Sequence, residues 1–227
     1  MTPASHSSRT ALQLRGALVL DQLQPQLAAA LAASGEGFFP LPGECAFWAE
    51  IEPGIAAERL LDAALKQGEV RPGALVTERH YGTFEVHGPD QGQVREAGRR
   101  ALAGSGLELQ PATAASDERP SGLGGEPPEI LFAEVLRQVD AHHAAMVNRS
   151  RAGSLLLAGD TLFTLEVSPA VWVLLAANVA EKAAPVQLID LENHGAVGRL
   201  RLGGTDAAIE AAVRAVESAL DGVRRAL

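Results

Sequence analysis

The feature that most constrains this chain is an internal repeat, because one unit occurs twice at an offset of 116 residues without a gap. Prolines, lysines, glycines and aromatic residues recur at that offset, as in Phe47/Phe163, Pro53/Pro169, Lys66/Lys182 and Gly82/Gly198. The register extends from Val19/Val135 to Asp90/Asp206. A register kept over most of a half-chain predicts two similar domains, and a function that requires them to be fused.

The size and charge of the chain narrow its class. A length of 227 residues allows two domains, each with its own core. The net charge of −9 argues against a nucleic-acid partner, which would require a basic surface. The single cysteine, Cys45, cannot form an internal disulfide, which fits a reducing compartment. The longest apolar run, 169–177, is too short to cross a bilayer, so we expect a cytoplasmic protein without a membrane partner.

The order of predicted elements is the same in both copies. We expect a disordered tail over 1–10, a first domain over 11–103, a linker rich in Gly, Pro and Ser over 104–127, and a second domain over 128–227. Each domain should contain a strand, an Ala-rich helix, a strand stopped by proline, a second helix, two strands around a glycine turn, and a closing helix. This order predicts an α+β fold with helices on one face of each sheet.

Several segments carry a family resemblance. The body of each copy, over 47–56 and 163–169, and the strand and turn GRLRLGG over 198–204 resemble a bacterial microcompartment shell domain. Further matches are LDQLQPQ over 20–26, GFFPLPG over 37–43 and VTERHYG over 76–82. An extra strand and helix precede each body. The chain therefore resembles the circularly permuted tandem subclass of shell proteins, whose best-known members belong to carboxysomes.

The resemblance implies a structural role and no enzyme activity. Each of the two tandem shell domains would be a mostly antiparallel sheet with flanking helices. Three chains would form a pseudohexameric homotrimer that tiles the shell of a microcompartment in the cytoplasm, beside hexameric and pentameric shell proteins. Metabolites would pass through a gated central pore. In the gated relatives two trimers stack face to face, and the same stacking is an expectation for this chain.

The resemblance also places the pore. In gated members of the subclass a neighbouring Glu-Arg pair lines the pore and changes orientation between closed and open states, and here the matching pair is Glu78 and Arg79. Three converging carboxylates would raise one another's pKa, and three arginines from the same turns could neutralise them. The equivalent turn of the second copy holds His194 and Gly195, which we expect beside the axis.

Two lysines are candidates for contacts between tiles. Lys66 and Lys182 end equivalent helices, and the resemblance places both at the tile edge. The alternative interpretation is a cation near a helix C-terminus, which stabilises the helix by a few tenths of a kcal/mol. His142 and His143 are adjacent and point in different directions, so we expect no metal site, and no cofactor.

Two other classes of function stay open on the sequence alone. A tandem α+β module could bind a small regulatory molecule between its halves. An enzyme would require titratable groups that converge in a pocket, and the sequence contains no phosphate-binding loop, dinucleotide fingerprint, zinc motif or nucleophile elbow.

Overall fold

The computed structural model describes residues 11–35, 37–107, 109, 122–151 and 153–227. The predicted tail, 1–10, lies outside these residues, as does much of the predicted linker. The strands are β1 (Gln13–Leu20), β2 (Cys45–Glu52), β3 (Arg71–Glu78), β4 (Tyr81–Gly88), β5 (Gly122–Gly125), β6 (Glu129–Leu136), β7 (Thr161–Ser168), β8 (Gln187–Glu192) and β9 (Gly198–Gly204). The helices are α1 (Pro25–Ser34), α2 (Ala57–Leu65), α3 (Gln91–Ala103), α4 (Ala141–Ser150), α5 (Trp172–Ala183) and α6 (Asp206–Ala226), and a 3₁₀-helix (Gly54–Ala56) precedes α2.

The internal repeat is visible in the element boundaries. Strands β1 and β6 begin and end 116 residues apart, as do α1 and α4, and β2 and β7. The sheets have the orders β3-β4-β2-β1-β5 and β6-β7-β9-β8, and all their pairs are antiparallel. Even the register shifts recur, at Leu14/Gly16 and at Ile130/Phe132. The predicted α+β fold of two tandem units is confirmed.

Strand β5 has no counterpart in the second sheet among the residues that the structure describes. It lies within the range that the composition predicts as linker, and it pairs with the edge of the first sheet along β1. Part of the segment between the two units therefore belongs to the first sheet.

The expectation of helices on one face of each sheet is wrong. The first sheet packs α2 and α3 on one face, where the rings of Phe47 and Phe84 lie 6.0 Å apart. Its other face carries Leu18 and Trp48, which are buried against α1 and the second half. The second face is the one against which the early helix of each unit packs, α1 in the first and α4 in the second.

One hydrophobic core crosses from one half to the other. It extends from α1 through α5 and α6 to the second sheet, and includes the fully buried Leu27, Trp172 and Val216. Because burial of apolar surface is the dominant favourable term in folding, a shared core holds the halves in one arrangement.

Each half also caps a helix of the other. The residue before α1 provides no side-chain cap, and the first backbone N–H groups of this helix donate instead to side chains of α5. Gln24 N–H donates to Asn178 Oδ1 at 2.9 Å, and Gln26 N–H donates to Glu181 Oε1 at 2.7 Å. In return, Val171 N–H at the start of α5 donates to Glu50 Oε2 at 2.9 Å. Helix N-termini carry unpaired donors and partial positive charge, which these groups satisfy.

We predict that Gly98→Ala lowers the free energy of unfolding by about 2 kcal/mol, because overpacking a filled core forces its neighbours to move. A Cβ at Gly98 on α3 would lie 2.3 Å from Cδ2 of Phe47. The matched control is Gly222→Ala on α6, whose Cβ would meet no described atom within 4 Å. That change should be neutral or stabilise by up to about 1 kcal/mol. Urea denaturation of both variants measures the difference, and equal midpoints would contradict the packing described for α3.

Candidate functional site

The candidate site begins at the turn between β3 and β4. Glu78 and Tyr81 are the last paired residues of this hairpin, and Arg79 and His80 form its two-residue loop. Glu78, Arg79 and His80 are all exposed. Arg79 has a φ of +55°, the left-handed region that two-residue hairpin loops favour and that glycine usually fills. An arginine at this position places a long cationic side chain at the tip of a tight turn.

The base of this hairpin is fixed against the start of the helical segment that leads into α2. Gly54 N–H donates to the carbonyl of His80 at 2.7 Å, and Thr77 Oγ1 donates to the carbonyl of Gly54 at 3.5 Å. A Cβ at Gly82 would lie 2.0 Å from the Gly54 carbonyl oxygen, so this approach requires glycine. The backbone of the turn is therefore held, while the side chains at its tip extend into solvent.

The turn between β8 and β9 meets the first turn. It spans 193–197, and Gly195 has a φ of +88°. His194 Nε2 lies 3.8 Å from Glu78 Oε2, and a Cβ at Gly195 would lie 2.7 Å from the same oxygen. The structure thus brings Glu78, Arg79, His194 and Gly195 together at one cleft of about 480 Å³.

The charged groups of the cleft differ in how firmly they are paired. Arg199 donates to Glu166 at 2.6 Å and to Glu192 at 2.9 Å, and these hydrogen bonds raise the pKa of its guanidinium. Arg79 has no hydrogen bond or ion pair within the described part of the chain. The Arg79 side chain can therefore change orientation without breaking a hydrogen bond or ion pair to any described residue, whereas Arg199 cannot.

A buried cluster behind the turn was not predicted from the sequence. Arg15 lies over the ring of Tyr81 at 4.3 Å and donates to Glu50 Oε1 at 3.3 Å. The Glu50 side chain is fully buried, and this desolvation raises its pKa from 4.5 to about 6, against the opposing hydrogen bonds from Val171 and Arg15. The cluster joins the base of the turn to the contact between the halves. Its only sequence signal is the repeated pair Glu50/Glu166.

The two candidate tile-edge lysines lie away from the cleft. Lys66 follows α2, at the end opposite Gly54, and its Nζ lies 2.5 Å from Asp62 Oδ2. Lys182 is in the last turn of α5, is exposed, and has no hydrogen bond or ion pair to any described residue.

Neither a metal site nor a membrane-spanning helix is found in the described ranges. Within them, no three His, Cys, Asp or Glu side chains are grouped as a metal ion would require. No helix there has the length and hydropathy to span a membrane.

The fold is that of a tandem, permuted microcompartment shell protein. Two solved structures share the architecture over 93% of this chain: the fused permuted hexameric shell protein MSM0275 (TM-score 0.84, 37% identity, 98% of that chain) and the double ringed trimeric shell protein MSM0271 (TM-score 0.83, 34% identity, 97% of that chain), both from the RMM microcompartment.

Sequence relatives define the family more narrowly. The family described as the CsoS1D N-terminal domain matches residues 14–111. The carboxysome shell protein CcmP of Synechococcus elongatus is 42% identical over 212 residues, 93% of each chain. The carboxysome shell protein CsoS1D of Hydrogenovibrio crunogenus is 41% identical over 210 residues, 92% of this chain and 96% of the relative. This chain belongs to the same family of carboxysome shell proteins, and its function in the shell is structural, not enzymatic.

We predict that Glu50 makes stability fall as pH rises. A pKa raised from 4.5 to about 6 means that the folded state binds more protons between these values, so the free energy of unfolding decreases across this window. The loss is about 2 kcal/mol, since one pKa unit corresponds to about 1.4 kcal/mol. Glu50→Gln keeps an oxygen for Val171 N–H and cannot titrate. Urea denaturation at pH 4 and pH 7.5 measures the free energy of unfolding of the wild type and of Glu50→Gln. The difference between the two proteins should change by this amount between the two pH values, and an unchanged difference would refute the assignment.

Proposed function

We propose that three copies of this chain form a ring, and that the turns carrying Glu78 and Arg79 line its central opening and gate the passage of small molecules. The main support comes from the contact between the two halves. Its counterpart by the 116-residue repeat is not formed within the described chain, where the corresponding residues Ile55 and Met146 are exposed. A contact of this head-to-tail kind generates a closed ring when its rotation closes. A trimeric form in the relative MSM0271 supports three copies.

The internal contact is the template for the contact between chains. Within the chain, Glu50 caps α5 at Val171. The same positions in the other copy are Glu166 and Ile55, and Ile55 is 63% exposed. Among the described residues, the positions that begin the 3₁₀-helix and α2 provide no side-chain cap. Glu166 of the next chain would supply that cap, and would cover Ile55 as the first half covers Val171.

Several exposed apolar residues fall into two groups when the exposure of each is compared with that of its repeat partner. In the first group one copy is exposed and the other is buried or is glycine: Ile55 at 63% against Val171 at 0%, and Met146 at 62% against Ala30 at 3%. Phe132, exposed by 49%, corresponds to Gly16, which packs against Val171 and Trp172. The repeat assigns this group to the contact between chains of one ring.

In the second group both copies are exposed. Phe39 and Leu155 are exposed by 60% and 50%, and Leu41 and Leu157 by 56% and 55%. A contact between chains that repeats the internal one would leave all four uncovered. Three chains would present twelve such side chains, and we propose that they form the face on which a second ring stacks, as in a double-ringed trimer.

Two substitutions separate these surfaces. Met146→Asp should weaken ring formation at least 100-fold, because it places an unpaired charge in an apolar contact, and yield chains of 23.7 kDa. Leu157→Asp should leave the ring, at about three times 23.7 kDa, and abolish the stacked form of twice that mass. Light scattering coupled to gel filtration reads both masses, with Glu217→Ala on the exposed face of α6 as the control. Loss of the ring in Leu157→Asp with no effect of Met146→Asp would reverse the assignment.

A ring would bring the charged side chains of three candidate sites together. Three Glu78 carboxylates facing one axis would repel one another, and three Arg79 guanidinium groups from the same turns could neutralise them. With Arg79 turned inward, charge-assisted hydrogen bonds would close the opening. With Arg79 turned outward, carboxylates would line a wider hole. Two arrangements of similar energy are what a gate requires, and the lack of a fixed partner for Arg79 among the described residues supports such a balance.

The lysines suit contacts between rings. Lys66 and Lys182 occupy equivalent, exposed helix ends, and each ammonium can donate to backbone carbonyls of a neighbouring tile. The neighbours would be further copies of this ring or the hexameric and pentameric shell proteins, and the molecules passing the pore would be metabolites.

Cross-linking tests the position of the turn. Arg79→Cys should join three chains when treated with a trivalent maleimide, because the three thiols would face one axis. The wild type is a clean background, since burial raises the pKa of its single thiol, Cys45, to about 12 and leaves little reactive thiolate. Lys66→Cys is the matched control and should give no trimer in isolated rings. Trimer bands from Lys66→Cys alone would exclude the proposed pore.

A further inference from the structure

A second cavity, of about 360 Å³, lies between the C-terminal end of α1, strand β3 and the end of β8. Among the described residues, His194 is the one that lines both this cavity and the cleft between the Glu78 and His194 turns. Its volume is within the range of sites that hold small organic ligands. All of its described lining residues belong to a single chain.

One side of the cavity is a polar strip on an otherwise apolar sheet face. Trp48 of β2 is opposite Glu85 of β4, and Thr83 precedes Glu85 on the same face. Trp48 is 2% exposed, and its Nε1–H has no hydrogen-bond partner among the described residues. A buried donor without a partner costs about 1–3 kcal/mol.

The acidic residue of this strip, Glu85, is buried and contacts a histidine. Glu85 is fully buried, and His87 Nδ1 lies 3.0 Å from its Oε1. Burial raises the pKa of Glu85, although hydrogen bonds from His87 and Gly73 oppose the change. The other ring nitrogen of His87, Nε2, has no partner in the described structure. Buried polar groups of this kind are expensive, and they often mark binding sites.

The second half shows that the fold does not require this arrangement. The positions of Trp48, Thr83, Glu85 and His87 correspond to Thr164, Arg199, Arg201 and Gly203. There the arginines are paired with acids, as in the 2.8 Å contact from Arg201 to Asp190. The buried donor and acid are therefore specific to the first half, which supplies most of the described lining of the cavity.

The lining defines the chemistry of a ligand. Its described residues include no lysine or arginine, and the Glu85 carboxyl disfavours an anion. The Trp48 N–H requires an acceptor, Thr83 can both donate and accept, and the Glu85 carboxyl can accept. Leu31 and Val76 supply apolar walls. We propose that this cavity binds a small uncharged organic molecule that carries a hydrogen-bond acceptor next to a hydroxyl or amide donor. This would be a ligand site separate from the pore.

The two tryptophans provide the test, because Trp172 already donates its indole N–H to the carbonyl of Glu126 at 3.1 Å and serves as an internal reference. The protein would be labelled with 5-fluorotryptophan, and its two ¹⁹F resonances assigned with Trp172→Phe. Glycerol and acetamide are the uncharged probes, and inorganic phosphate is the anionic one. Saturable movement of the Trp48 resonance with an uncharged probe, at a dissociation constant on the order of 10 mM for so small a molecule, is the expected result.

Ala74→Leu fills the cavity and should weaken binding at least tenfold. Ala29→Leu, on the exposed side of α1, is the matched control and should leave binding unchanged. The mass of the assembly checks that both variants fold. The proposal is overturned if neither uncharged probe moves the Trp48 resonance, if both tryptophans move together, if phosphate acts as strongly, or if Ala74→Leu binds as the wild type does. Repeating the titration on Met146→Asp separates this site from the proposed ring, because the cavity should bind its probe in the dissociated chain as well.

Discussion

The reciprocal capping between the two halves is the interaction on which the rest of the structure depends. Glu50 of the first sheet accepts from the start of α5, and Asn178 and Glu181 of α5 accept from the start of α1. Each helix begins at the other half's surface, so its exposed donors are satisfied only when the halves are joined. The shared core then fixes the spacing and angle of the two sheets. This geometry sets where the two turns meet.

Duplication followed by divergence explains why one chain carries two unequal units. The backbone elements recur at a constant offset, but the turns do not, because the first is a two-residue loop and the second spans five residues. A ring of identical units would place the same side chains six times around its axis. In the proposed ring of tandem chains, Glu78 and Arg79 would occur three times and His194 three times, so that opposite charges could meet at the centre. The buried donor and acid of the second cavity likewise belong to the first half.

Much of the fold could be predicted from the sequence, because the repeat doubles every local signal. Proline after β2 and β7, and glycine turns before the last helices, mark the same boundaries twice. The roles of Glu50 and Glu85 could not be predicted, because acidic residues are usually exposed and neither the cap on α5 nor the contact with His87 has a periodic signal. The contact between Glu78 and His194 depends on how the two halves pack, which no local pattern encodes. Helices on the second face of each sheet were missed for the same reason.

A structure of the assembled particle, viewed along its symmetry axis, tests the central claim most directly. If the internal contact is repeated between chains, the Glu166 carboxylate of one chain will accept from the backbone of Ile55 in the next, and Glu78 and Arg79 will lie on a three-fold axis. A particle in which Ile55 and Met146 stay exposed to solvent, with the Glu78 turn at its periphery, would contradict the account.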